Sequence, residues 1–176
     1  MPSKTYPPPE ERPRGVSRTT HDGNAATSPL TIEWRNGAEL DAVQLHELLQ
    51  FRQAIFVVEQ GSPYPDLDGR DFGSQHLLLR RGEELIGCLR LMAPDPLVRI
   101  GRVAVKADER GRGLARLIME AALERAAEVY PHRDVALGAQ TYLEPFYRSL
   151  GFVASSAPYD DHGVPHIDMI GPARGV

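Results

Sequence analysis

The spacing of apolar residues changes several times along the chain, and each change marks an expected element. Leu30 to Arg35 reads as a short strand. From about Asp41 to Val58 the period is helical, carried by Val43, Leu45, Leu48, Leu49, Phe51, Ile55 and Phe56, with a bend or second short helix expected near Gln50. Glu59 to Asp71 breaks the pattern and reads as a loop from its Gly and Pro content. Gln75–Arg80 and Glu84–Met92 are strands around a turn at Arg81-Gly82-Glu83, and Pro94-Asp95-Pro96 leads into a strand over Arg99–Val105. Leu114, Leu117, Ile118, Ala121 and Ala122 form one stripe at helical spacing, which predicts a helix from about Gly113 to Val129. Val135–Ala139 is a strand, Leu143–Leu150 a short helix, and Gly151–Ala154 and Ile167–Ile170 the last strands, with a polar loop around Tyr159 to Pro165.

That order predicts an α+β domain over 30–176 with a mixed central sheet of about seven strands and flanking helices. The strand after the 113–129 helix is expected to run parallel to the strand before it, because a helical crossover joins them. Residues 1–29 hold six of the 15 prolines and few large apolar side chains, which predicts a disordered tail.

Composition narrows the function classes. The 176 residues suit one domain with a sizeable core, and the net charge of −4 speaks against a general nucleic-acid binder. The single cysteine, Cys88, excludes an internal disulfide and a Cys-rich zinc site, so no metal is expected. No apolar run reaches membrane-spanning length and no signal-peptide core is evident, so the expected location is cytoplasmic, with no membrane partner. Asp66, Asp68 and Gly69 hint at an EF-hand, but the glutamate required at the twelfth position is missing.

The chemistry concentrates in Glu109-Arg110-Gly111-Arg112-Gly113-Leu114-Ala115, between an expected strand and an expected helix. Such a turn leaves backbone N–H groups unpaired at a helix N-terminus, and two arginines add full charges, a combination that suits a phosphate or pyrophosphate. Neither the Walker A pattern nor Gly-x-Gly-x-x-Gly is present, since Arg116 occupies the last position of the latter. Arg110, Gly113 and Ala115 instead match Arg/Gln-x-x-Gly-x-Gly/Ala, and Phe146-Tyr147-x-x-x-Gly151-Phe152 follows about thirty residues later.

These two motifs resemble those of the GNAT (Gcn5-related) N-acetyltransferases. Phe51-Arg52-x-x-Ile55-Phe56-Val57-Val58-Glu59-Gln60, Gly138-Ala139-Gln140 and Gly163-x-Pro165-His166-Ile167-x-Met169 are similar to the ElaA-like branch, and the likeness runs from about Trp34 to Met169. Gly61 departs from that branch, where a cysteine is expected. The resemblance implies a GNAT fold with splayed central parallel strands, acetyl-CoA (coenzyme A) as acyl donor, and transfer to a primary amine of a small molecule or a peptide N-terminus. The expected assembly is a monomer or homodimer.

On this resemblance Arg110, Gly111, Arg112, Gly113, Leu114 and Ala115 would hold the pyrophosphate, and Val103, Ala104 and Val105 the pantetheine arm. Tyr147 would be the general acid for the thiolate, with Tyr142 as the fallback. The base is open among Glu59, His76, Asp68 and His166; Glu59 follows an apolar run, which would raise its pKa. Arg52, Asp66, Asp68 and His166 are expected at the acceptor, and the acidic loop hints at a cationic amine, although Arg52 and Arg102 could equally pair with those carboxylates. Arg52, Phe56, Arg90 and the acidic loop also resemble acyl-homoserine lactone synthases, and a non-catalytic coenzyme A-binding module is the third reading.

Overall fold

Three consecutive leucines explain how one sheet supports two cores. Strand side chains alternate between faces, so in β2 (Gln75–Arg81) Leu77 and Leu79 join one buried cluster and Leu78 the other. The computed structural model of the chain describes residues 28–62, 65–94 and 96–171. The tail expected over 1–29 lies outside them except for Ser28 and Pro29, as do Pro63, Tyr64 and Asp95.

The elements are β1 (Leu30–Asn36), α1 (Ala42–Gln53), β2, β3 (Glu84–Met92), β4 (Val98–Val105), α2 (Leu114–Val129), β5 (Val135–Gln140), α3 (Glu144–Arg148), β6 (Val153–Ala154), β7 (Tyr159–Asp161) and β8 (Val164–Gly171). The sheet has eight strands in the order β1-β2-β3-β4-β5-β8-β6, with β7 on β8. The expected polar loop around Tyr159–Pro165 is thus a hairpin, closed by His162 and Gly163, both at positive φ. The first helix ends at Gln53 and passes into a π-helical turn over Ala54–Glu59, a few residues after the expected bend. Asp41 fixes its start: the side chain accepts from the Val43 and Gln44 N–H groups, and Gln44 returns a bond to the Asp41 N–H.

The larger core lies between α2 and one face of the sheet. Ile118, Met119, Ala122, Leu123 and Ala126 recur at helical spacing and are buried there; burial of each large side chain stabilises the fold by about 1.5–3 kcal/mol. The smaller core sits under α1 and the π-helical turn, where Leu48 and Ile55 meet Leu78, Leu85, Cys88 and Ala104. Cys88 is fully buried and its thiol is pushed up to about 12 by desolvation, so it behaves as a small apolar residue.

One irregularity positions everything that follows. All adjacent strands are antiparallel except β4 and β5, which run parallel and pair only at Val98–Val135 and Arg99–Ala136. Beyond that point they form no ladder. On its other side β4 carries a bulge, since Arg102 and Val103 face Leu89 alone between the Cys88–Ala104 and Arg90–Gly101 pairs. Arg102 sits at φ 53, a left-handed conformation that costs a residue with a Cβ roughly 1–2 kcal/mol.

Candidate active site

A groove of about 800 Å³ runs along the gap between β4 and β5. Its apolar floor comes from Ile100, Val103, Ala104 and Val105, and its far wall from Tyr142, Leu143, Phe146 and Tyr147. The π-helical turn, through Ile55, Phe56 and Glu59, forms the near wall.

At the C-terminal end of β4 the groove meets the Gly-rich turn. Gly111 and Gly113 hold φ 74 and 78, which lets the chain turn sharply into α2. Gly113 is the N-cap and has no side chain to offer, so the first N–H groups of α2 are uncapped. A second cavity of about 330 Å³ opens over this turn, between Arg110, Gly111, Gly113, Leu114 and Ala115. The Arg110 Nε–H donates to the Val105 carbonyl at 2.9 Å, which aims its terminal nitrogens at Glu59 at 2.6 and 2.9 Å. Arg112 reaches Glu109 at 3.1 Å, a carboxylate also held by Arg81. Uncapped N–H groups, the helix dipole and Arg110 form a donor set that fits an anion of pyrophosphate type.

Tyr147 is buried in the wall of the groove. Pro145 starts its short helix, and the ring is fixed by edge contacts with Phe146 and Phe152, at 5.0 and 6.1 Å between centroids. Burial pushes the phenol up to about 12, so it remains a proton donor at neutral pH.

Beside the β4 bulge lies an ionic cluster. Arg52 is fully buried and donates to the Asp66 carboxylate and carbonyl, both at 3.0 Å, and to the Asp71 carboxylate at 2.6 Å. Arg90 binds Asp68 at 2.6 and 2.8 Å and Asp71 at 2.9 Å. Arg102 reaches Asp66 at 2.7 Å and Asp68 at 3.3 Å. Arg90 holds the Asp68 carboxyl well below its usual range, and the paired arginines hold Asp71 low against the opposing effect of burial.

The opposite side of the groove, across the gap from β4, is built by β5, β7 and β8. Gly138 faces Asp168 across the ladder, and an added Cβ there would meet the Tyr159 hydroxyl at 3.3 Å. That hydroxyl donates to Asp168 at 3.0 Å, and the ring stacks on His166. His166 Nδ1 lies 2.9 Å from the Val164 carbonyl; a carbonyl only accepts, so Nδ1 carries the hydrogen and Nε2 of the neutral ring keeps its lone pair.

The site residues expected from sequence separate into two groups. Val103, Ala104, Val105, Arg110, Ala115, Tyr147, Glu59, Asp68 and His166 line the main groove, while Gly111, Gly113 and Leu114 line the adjoining cavity. Arg52, Asp66, His76 and, of the expected pyrophosphate residues, Arg112, which is paired with Glu109, line neither. The first two are locked in the ionic cluster, and His76 is buried with Nε2 3.0 Å from the Asp71 carbonyl. Burial also lowers the His76 pKa, so it is a neutral structural residue. Glu59 is corrected in another way: its hydrogen bonds from Arg110 lower its pKa, the reverse of the rise expected from the apolar run. Arg70, Arg99, Gln60 and Gln140 line the groove without having been singled out. Gln140 donates to Gln60 at 3.3 Å and, with Glu59–Arg110, ties the two walls together.

The acetyltransferase (GNAT) domain model matches residues 58–171. The protein ElaA of Escherichia coli K12 is 40% identical over 146 residues, which cover 78% of this chain and 95% of that protein. The crystal structure of Escherichia coli ElaA superimposes with a TM-score of 0.75 at 39% identity, covering 80% of this chain and 99% of that one. An acyl-CoA N-acyltransferase from Pseudomonas aeruginosa gives a TM-score of 0.78 at 36% identity, covering 81% and 99%. Among the described residues no helix is long and apolar enough to cross a membrane, and no group of His, Cys, Asp and Glu is arranged to hold a metal ion.

Proposed function

This chain belongs to the GNAT acetyltransferase family, in its ElaA-like branch, and from that premise we propose that it transfers an acetyl group directly from acetyl-CoA to a primary amine. One observation carries the reading: the uncapped Gly111–Gly113 turn opens onto the gap left where β4 and β5 stop pairing. Anion-binding groups and a slot between strands are thereby continuous.

Arg110, Arg112 and the N–H groups at the start of α2 bind the pyrophosphate. Backbone groups of Val103 and the Val105 N–H hold the pantetheine arm alongside β4. The thioester supplies an activated acetyl carbonyl. The amine nitrogen bonds to that carbon while the carbon–sulfur bond breaks, and a backbone N–H at the β4 bulge stabilises the negative charge on the carbonyl oxygen. Tyr147 donates its phenolic hydrogen toward the departing sulfur. His166, with Nε2 free, takes the proton that the amine sheds. Glu59 and His76 are poor bases here, since each has a lowered pKa.

Isothermal titration with acetyl-CoA, followed by a thiol-release assay over amino acids, peptides, polyamines and aminoglycosides, tests this reading. Binding and acceptor-dependent thiol release are expected. Gly113→Ala, which forces a Cβ into the left-handed conformation, should cost about 1 kcal/mol and weaken binding several-fold. Absence of binding at millimolar acetyl-CoA overturns the proposal; binding without turnover leaves a coenzyme A-binding module.

A further inference from the structure

We infer that the acceptor amine carries a carboxylate, bound by Arg70 and Arg99 in the part of the groove outside the Gly-rich turn. The inference rests on the acyltransferase reading and deepens it. It also reverses the expectation of a cationic acceptor, which came from the run of aspartates after Glu59.

Those aspartates are spent. Asp66, Asp68 and Asp71 are all paired with Arg52, Arg90 and Arg102, so they have little charge left to offer an ammonium group. Five arginines line the groove against three carboxylates. Arg110 is taken by Glu59 and Arg90 by Asp68 and Asp71, and Arg102 lies against Asp66 and Asp68. Asp161 is held by His162 at 2.8 Å. What remains is Arg70 and Arg99, whose guanidinium groups make no ion pair or hydrogen bond among the described residues.

The topology brings the two together. Arg99 pairs with Met92 and with Ala136, at the point where β4 and β5 still touch, and shares a face with Gly101 two residues on. Gly101 is the register partner of Arg90, and Arg90 fixes Asp68. Arg70 follows Asp68 by two residues, and its N–H donates to that carboxylate at 3.1 Å. Arg99 therefore stands near the N-terminal end of β4, roughly 20 Å of strand from Val105, and Arg70 lines the same groove beside Asp68, which Arg90 and Arg102 hold at the bulge. Neither lines the cavity over the Gly-rich turn, so both are outside the pyrophosphate position and on the part of the groove left to an acceptor. Two planar guanidinium groups with free donors match a carboxylate in bidentate fashion, whereas a polyamine would bring positive charge to them.

The test compares amino acids and dipeptides with their C-terminal amides, their decarboxylated amines and spermidine, in thiol release with acetyl-CoA. The free acids should exceed the amides at least tenfold in kcat/KM, mostly through KM. Arg99→Ala and Arg70→Ala, both exposed and so expected to fold, should bring the acid-to-amide ratio close to one. Titration of N-acetyl amino acids and their amides into the coenzyme A-loaded protein reads the same preference without turnover. Equal binding of acid and amide, preference for spermidine, or an unchanged ratio in both variants overturns the inference. Acid-selective binding with no thiol release from any amine would overturn the acetyltransferase reading and leave the carboxylate site standing.

Discussion

Arg110 cannot serve Glu59 and a pyrophosphate at once, and this competition has a measurable size. Its two terminal nitrogens both point at the Glu59 carboxylate, at 2.6 and 2.9 Å, while Nε is committed to the Val105 carbonyl. Binding the donor must therefore break the pair. The side chains are 45% and 39% exposed, so solvent screening limits the pair to about 0.2–1 kcal/mol despite its bidentate geometry. Removing the competitor should return that free energy to the donor: Glu59→Gln is expected to tighten coenzyme A binding about 1.4- to 5-fold. Arg110→Ala should loosen it, and Glu59→Gln on the Arg110→Ala background should do almost nothing, because no arginine remains to be released. Isothermal titration of the four proteins completes the cycle. Arg110 lowers the Glu59 pKa, so the folded pair contributes above the ordinary carboxyl value of 4.5 and fades as pH falls through the lower folded value. The affinity gap should therefore be constant above about pH 6. Weaker binding in Glu59→Gln would mean that Glu59 orients Arg110 for the phosphate rather than withholding it. A hundredfold fall in kcat would make Glu59 the base after all.

Tyr147→Phe should lower kcat by about 10- to 100-fold with little change in affinity for acetyl-CoA, and the alkaline limb of the wild-type pH profile owed to this phenol lies near pH 12 rather than at the ordinary value. Asp71→Ala removes one of the two carboxylates that hold each of Arg52 and Arg90, while Asp66 and Asp68 remain, and should cost about 1–3 kcal/mol in urea denaturation at neutral pH. Because the folded Asp71 pKa is depressed, its contribution is present above the unfolded carboxyl value of 3.8 and is lost as pH falls through the lower folded value, so the gap between wild type and variant should narrow progressively as pH falls below 3.8.

The parts that sequence made legible are those written locally. The Gly111–Gly113 turn states its own backbone geometry, and the change from strand to helical period around it fixes β4, α2 and their parallel neighbour β5. The hairpin at His162-Gly163 was written less plainly, because histidine rarely accepts the positive φ it adopts there. The charges were legible only in part: pairing of Arg52 and Arg102 with the loop carboxylates was one of the readings left open, and it is the one the structure has. Asp66 meets Arg52 across 14 residues and Arg102 across 36, Asp68 meets Arg90 across 22, and Glu59 meets Arg110 across 51. Spacing along the chain does not choose between such partners and a cationic acceptor, and it gave no sign of Arg90 in the cluster or of Arg110 on Glu59, so a carboxylate with a lowered pKa read as one with a raised pKa.

The cluster nevertheless bears on the chemistry, at one remove. A non-glycine residue at φ 53 persists only where its surroundings fix it, and Arg102 is fixed by Asp66 at 2.7 Å and by the Asp66 carbonyl at 3.0 Å. Asp66 is fixed in turn by Arg52, and Arg52 shares Asp71 with Arg90, the register partner of Gly101. The network closes around the bulge from both of its strands. Holding the bulge redirects β4 just past Arg99, its last pairing with β5, and so keeps open the slot on which both the donor and the acceptor ends depend. Burying Arg52 and Arg90 with Asp66 and Asp71 adds little to net stability compared with apolar packing. Its consequence is geometric: a strained backbone held in one place, between the Gly-rich turn at the C-terminal end of β4 and Arg99 toward its N-terminal end.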